Sequence, residues 1–445
     1  MIAYNHKKTL PLKGGATYSY TVGLTHKGLS CLPVLQPPLS SFLKQRHRKE
    51  LFFRALGAVV IAVSLCVLGL LLAAILKSGY TAFFQTQLGV PFQSSQRLVL
   101  ERLPEKHHLS SLLVTGFPTV KRAEELKSLH TFPSWGSGRV LKRILSKPQH
   151  LEEDKIWIPV SSKMDQFYKA TLKHRAFSSD ELTNPERSVL KKLSNQNALA
   201  LHWNWDFLTR GDSQEPELAG VWGALKGSFL TLLVAFCIAF PLSIGASIYL
   251  EEFAPCNRLT DWAELHINNL AAVPSILFGI LGLVIFDKWL GFPRPSSLLG
   301  GATLALMMCP PLIVMTRLSL RGVPGLLREA AYAMGASSVQ VVFHQVLPVA
   351  FPGILSGTMM VLARMIGESA PLLMVGMVAF IADVPQKLTD PATVLPIQIF
   401  SWAKSPHPGF LEKTSGAILG LLAFLILLNA LALFIRRRME YRLRP

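Results

Sequence analysis

Residues 55–76 run through the chain without one charged side chain. A stretch of about 20 apolar residues is what an α-helix needs to cross roughly 30 Å of hydrocarbon. Five more stretches read the same way: 228–250, 270–286, 298–316, about 349–380, and 417–435. The third is short and borrows from its flanks, and the fifth contains Arg364, Glu368 and Pro371. Lipid supplies no hydrogen-bond partner, so spans of this length must be helices. The first stretch begins too far into the chain, and is too long, for a cleaved leader; it reads as a signal anchor. The predicted class is an all-α polytopic membrane protein with about six transmembrane helices.

Half of the residues are hydrophobic and 16% are charged, and the charges cluster between the apolar runs. The net charge of +18 would point to nucleic acid in a soluble chain. Here Lys and Arg flanking membrane helices account for it, and no nucleic-acid partner is expected. Nine Lys/Arg face one acid, Glu50, over residues 1–54, and Arg436, Arg437, Arg438, Arg442 and Arg444 face Glu440 in the tail. Both ends are therefore expected in the cytoplasm. The five cysteines match no zinc or CxxC spacing, and residues 78–222 contain none. No metal site and no catalytic set are expected.

The organisation that follows is a basic cytoplasmic segment 1–54, a first helix 55–76, a large extracytoplasmic insertion 77–222, a core 223–435 with five helices, and a basic cytoplasmic tail 436–445. The lead up to about Pro38 reads as disordered. Prolines punctuate the first half of the insertion. Near its end, Thr183-Asn-Pro-Glu186 reads as a helix start, with a polar cap, Pro at the first position and an acid by the positive helix end, running to about Asn197. His202, Trp203 and Trp205 read as an interfacial aromatic belt rather than a metal site. Gly353 and Gly357 suit close helix packing.

The most specific pattern lies in the cytoplasmic connection 317–348. Pro324 can open a helix, Ala-rich turns keep it slim, Gly335 permits a sharp break, and Leu347-Pro348 leads into the next span. On its local physics alone this is a shallow helix–turn–helix, and a plain amphipathic connector reads equally well. The spacing from Glu329-Ala330-Ala331 to Gly335 to Leu347-Pro348 resembles the EAA loop of binding-protein-dependent ABC importer permeases. Four further segments, beginning at Ala271, Arg328, Gly367 and Leu395, resemble the phosphate permeases of PstA type. The resemblance covers about 205–435 and extends less clearly to the first span and insertion.

It implies the type I ABC importer permease fold, with the insertion placed after the first helix. It further implies that Glu329, Ala330, Ala331, Gly335, Leu347 and Pro348 couple to an ATPase. The partners implied are a PstC-type permease subunit, a PstB-type ATPase dimer and a periplasmic phosphate-binding protein, assembled in the lipid bilayer of a bacterial inner membrane. No GxxxxGK[ST] occurs, so ATP and Mg belong to the partner ATPase, and no cofactor is expected on this chain.

Ionisable groups inside spans are costly and usually face a cavity or a partner. Arg317, Arg364 and Glu368 are the candidate phosphate-pathway residues, since guanidinium matches a phosphate's oxygens bidentately. Two readings stay open for each. Arg364 and Glu368, four apart, form either a transit site or a structural pair, and Arg317 is either a pathway residue or a cytoplasmic flank. Three rival functions also stay open: a permease for molybdate or sulfate, an ATP-independent secondary transporter, and a membrane-anchored sensor whose insertion is the working part.

Overall fold

The computed structural model describes residues 6–11, 17–22, 41–91, 105–118, 120, 122–134, 137–138, 141, 155–172 and 183–443. It divides into two units, 1–72 and 73–445.

The first unit holds an antiparallel ribbon, β1 (His6–Pro11) and β2 (Thr17–Val22), paired from His6↔Val22 to Pro11↔Thr17. This corrects the expectation of disorder for that part of the lead. Thr, Tyr and Val recur in β2, and β-branched and aromatic residues favour the pleated chain. Helix α1 (Ser41–Gly79) follows and is longer than the apolar run that announces it. Its side chains from Leu51 to Leu72 are exposed, as a helix solvated by lipid requires.

In the second unit the insertion folds around its own core. Strand β3 (Phe84–Pro91) leaves the first span through a single 3-10 turn. Helices α2 (Glu105–Gly116) and α3 (Ala123–Thr131) lead to β4 (Lys155–Pro159). Then come α4 (Ser162–Leu172), α5 (Asn184–Asn195), β5 (Leu199–Trp203) and the short α6 (Trp205–Thr209). The strands form an antiparallel sheet in the order β4-β3-β5. Leu88, Ile156 and Ile158 from the sheet pack with Leu113, Leu129, Val189 and Leu193 from the helices and with Phe132 just past the end of α3. Helix α5 starts at the predicted cap, where the Glu186 carboxylate accepts from the Thr183 backbone N–H at 2.8 Å. Trp203 stacks on Phe83 with centroids 5.9 Å apart and sits edge-on to Phe84 and Trp205. The aromatic group therefore forms where the first span becomes the sheet.

The core begins with α7 (Trp222–Ile248), whose last turn widens through Phe253. The predicted third span is broken. Helix α8 (Arg258–Ala271) and helix α9 (Ser275–Gly282, continuing in wider turns to Trp289) meet at 103°. Pro274 stands at the break, where it cannot donate to a helix and restricts the residue before it. Helix α10 (Ser297–Arg321) is the most enclosed span and packs along α7. Ser243 and Ser247 on α7 donate to the carbonyls of Cys309 and Ile313 on α10 at 3.3 and 3.1 Å. Such bonds hold helices together where water cannot compete.

After α10 come α11 (Gly325–Ala333), α12 (Ser338–Val341) and α13 (Leu347–Ile366). Helices α12 and α13 join through wide turns over Val342–Val346 into one span from Ser338 to Ile366. The widening precedes Pro348, whose missing N–H and bulky ring disturb the regular ladder. Gly353 and Gly357 both face α10; a Cβ on Gly357 would lie 2.7 Å from the Met315 Cβ. The fifth span, predicted to reach residue 380, ends at Ile366 with Gly367 as its cap. A short helix α14 (Ala370–Met374), helix α15 (Leu395–Ala403) and the last span, α16 (Gly409–Leu443), complete the chain. Among the described residues, five helices are long and apolar enough to cross a membrane, or six if the bent pair is one span.

A buried ionic cluster joins the insertion to α16. The Lys169 ammonium on α4 donates to Asp165 at 2.7 Å, to Glu412 on α16 at 2.9 Å and to the Thr81 carbonyl at 3.1 Å. Beside it, buried Lys413 lies 4.7 Å over the Phe207 ring. Glu217 is buried too, and one of its carboxylate oxygens has no partner. Burial pushes the Glu217 carboxyl up to about 7, with repulsion from Glu215 and Asp165 adding to the rise and its own backbone N–H and Lys413 opposing it.

Two predictions follow from this cluster. Removing one member of a buried ion set typically costs ~3–5 kcal/mol, so Lys169→Met should lower the melting temperature of the detergent-solubilised protein by several degrees. For Glu217, the folded chain keeps a proton between its ordinary value of 4.5 and about 7 that the unfolded chain releases. Stability should therefore fall as pH rises through that window, and the loss is complete above it. Melting curves from pH 5 to 8 should slope less in Glu217→Gln than in the unaltered protein.

Candidate functional site

Two places combine charge with membrane depth, and a third presents an apolar ridge to an aqueous face.

The ridge is the connection between α10 and α13. Val323 is buried, Pro324 caps α11, and the turn after α11 closes on Gly335 at φ +83°. A Cβ there would meet nothing within 4 Å, so backbone conformation, not space, calls for glycine. Ser337 then caps α12, accepting from the Gln340 N–H while the Gln340 side chain accepts from the Ser337 N–H. Beneath the loop, Ile248 of α7, Leu320 and Val323 form one cluster with Val341, Val342, Val346 and Ile354. Leu327, Ala331, Ala336 and Leu347 pack against it. The outer side carries Leu326, Tyr332, Met334, Val339 and Phe343, with Met334 89% exposed. Of the predicted coupling residues, Glu329, Ala330 and Gly335 lie on the exposed side. Ala331, Leu347 and Pro348 are half-buried and face inward, and Pro348 continues a helix rather than interrupting one.

Immediately above this loop is an ion network. Arg317, 9% exposed, donates from Nε to Glu251 at 3.1 Å and from Nη2 to Glu264 on α8. The other oxygen of Glu251 accepts from Arg321 at 2.8 Å. Glu252 accepts from Arg328 at 2.7 and 3.3 Å. Two carboxylates hold the Arg317 guanidinium near the end of α10, which leaves it no open face for an anion. The network's members are 53 to 76 residues apart in pairs. Glu251 and Glu252 were legible only as charges ending a span, and Glu264 lay in a segment with no span of its own.

The remaining place is the end of α13. Because the helix stops at Ile366, Arg364 and Glu368 do not share a helix face. They meet across the cap, with Nε 3.7 Å from Oε1, beyond hydrogen-bond length. The Glu368 side chain is mostly covered, while that of Arg364 is 64% exposed. Glu368 lines a niche of about 10 Å³ with Ser228, Thr231, Leu304, Met365 and Pro396, near the size that one water needs. The Thr231 hydroxyl is buried without a partner, and Ser228 accepts from the Leu395 N–H at 2.8 Å. Thr231 lies nine residues into α7, roughly 13 Å along the helix at 1.5 Å per residue. Ser228 and Thr231 were invisible as site residues because hydroxyls at single positions in an apolar run carry no pattern.

What Arg364 faces decides its role. A guanidinium exposed to hydrocarbon is costly, and its one carboxylate neighbour is too distant to satisfy it. Its exposed side therefore suits a polar lumen or another chain, whereas the tightly held Arg317 needs neither.

Comparison with known proteins agrees with the architecture. Residues 243–445 match the family described as binding-protein-dependent transport system inner membrane component, and residues 40–177 match a family described as a domain of unknown function, DUF3333. The chain is similar to the phosphate transport system permease protein PstA 1 of Mycobacterium tuberculosis (strain CDC 1551 / Oshkosh), 33% identical over 236 residues that make up 52% of this chain and 75% of the relative. It is similar to PstA of Yersinia pestis, 34% identical over 48% of this chain and 71% of that one. It is also 31% identical to PstC of Pasteurella multocida over 45% of this chain and 69% of that one. With an apolar loop built on Gly335, a membrane body of five or six spans and these relatives, the chain belongs to the PstA-type permeases among the binding-protein-dependent inner membrane transport components.

Proposed function

We propose that this chain is one permease subunit of an ATP-driven importer of inorganic phosphate. The observation that carries the reading is the exposed ridge from Leu326 to Phe343, seated on the ends of α7, α10 and α13. A ridge so placed can pass motion from a docked protein into the spans. The phosphate cargo rests on the relatives' names, and the likeness to a PstC subunit supports a pathway made with a second, homologous permease. Arg364, poorly neutralised by Glu368, supplies an anion-attracting group on that pathway. One arginine partly offset by a carboxylate binds weakly enough to release its cargo.

The division of labour follows the same reading. The ATPase dimer is a separate protein that holds ATP and Mg, and this chain binds no cofactor. A periplasmic binding protein delivers phosphate on the insertion side. The basic flanks of residues 1–54 and 436–445 support a cytoplasmic location for both termini, with the chain in the bacterial inner membrane.

Uptake of radiolabelled phosphate into vesicles lacking this chain, then restored with it and its partner subunits, tests the proposal. Uptake should require ATP and should not be competed by sulfate or molybdate. Uptake without ATP, or competition by those oxyanions, sinks the class or the cargo respectively. In the same assay Arg364→Gln should cut uptake at least tenfold at normal protein levels, and unchanged uptake removes Arg364 from the pathway. Gly335→Val forces a β-branched residue to a positive φ at ~1–2 kcal/mol. It should reduce co-purification of the ATPase and uptake together.

A further inference from the structure

We infer that Arg328 is the positioning residue that fixes the exposed helix α11 to the ends of α7 and α10, so that these three elements move as one body. The inference rests on the transport reading above and goes beyond it, because it says which spans receive the motion.

The geometry is specific. Arg328 lies on α11 next to exposed Glu329, yet its own side chain is turned inward and half-buried. It makes a forked contact with Glu252 at the end of α7, at 2.7 Å from Nη2 and 3.3 Å from Nε. Its Nη1 donates to the Val323 carbonyl at 2.8 Å, and Nη2 donates to the Leu320 carbonyl at 3.0 Å. The Leu320 carbonyl belongs to the closing turn of α10, at the negative end of the helix dipole, and the Val323 carbonyl lies just past its cap, Gly322. A single planar guanidinium thus satisfies a carboxylate from one span and the exposed end of another. Lysine, with one compact ammonium, cannot span all of these acceptors at once.

The joint is one-sided. Glu251, adjacent to Glu252, grips Arg317 and Arg321 on α10, and Arg317 reaches on to Glu264 on α8. On that side, directional bonds run unbroken from α11 through α7 and α10 to α8. Between the side chains of α11 and the span that runs from Ser338 through α13, the cluster contacts are apolar, with Leu327 and Ala331 packed against Val342 and Val346, and the backbone connection is the short turn at Met334–Ser337. Among the described residues, no ion pair joins α11 to α13. Apolar contact permits sliding, while a forked and capped guanidinium does not. A push on α11 is therefore delivered to α7, α10 and α8, and α13 can shift against them.

The test uses the complete complex in proteoliposomes and reads phosphate transported per ATP hydrolysed. The variants are Arg328→Met, Arg328→Lys and Glu252→Gln. Each should still co-purify with the ATPase and hydrolyse ATP. The transport ratio should fall at least fivefold in Arg328→Met and Glu252→Gln and take an intermediate value in Arg328→Lys. A role in folding alone would lower protein yield and leave the ratio untouched. If Arg328→Met does not accumulate, isosteric Glu252→Gln decides. An unchanged ratio in assembled variants overturns the inference, as does lost ATPase binding with a normal ratio in the complexes that remain. Failure of the unaltered complex to move phosphate with ATP would instead overturn the transport reading itself.

Discussion

Hydrocarbon gives a polar group nothing to bond to, and the placement of charge in this chain follows from that fact. Two of the buried charges are matched by opposite charges from other elements. Lys169 draws Asp165 and Glu412 to the junction of insertion and last span. Arg317 draws Glu251 and Glu264 to the other end of the core. The helices between these two ionic ends are held by small residues and hydroxyl-to-carbonyl bonds, notably Gly357 against Met315 and Ser247 against Ile313. Arg364 differs from Arg317 in that its carboxylate partner, Glu368, lies 3.7 Å away and leaves the arginine side chain 64% exposed.

Much of this architecture was legible in order along the chain. Apolar length marked the spans, and the Thr183–Glu186 cap marked the start of a helix that ends at Asn195, close to the expected place. The loop spacing marked Glu329 to Pro348. Each of these signals is local: it needs only a helix, a cap or a turn to be visible.

The misreadings share a cause. Pro274 sits in an apolar run, so hydropathy carried the third span straight through a 103° bend. The run after Gly367 is also apolar, so the fifth span seemed to continue past its cap. The three-stranded sheet of the insertion brings together segments near residues 84, 155 and 199, and no short-range pattern announces such pairing. The partners of Arg317 lie 66 and 53 residues away, and that of Arg328 lies 76 residues away, beyond the reach of any local pattern. Long-range charge pairing is set by how helices pack, which a single sequence does not print.

The ion network at the base of α7 and α10 has an electrical consequence. Its three glutamates and three arginines sum to zero charge. Moving one elementary charge through the membrane potential costs about 2.3 kcal/mol per 100 mV. A joint that carries no net charge does no such work when it shifts, whichever way the field points. A shift of this joint alone is therefore indifferent to the membrane voltage.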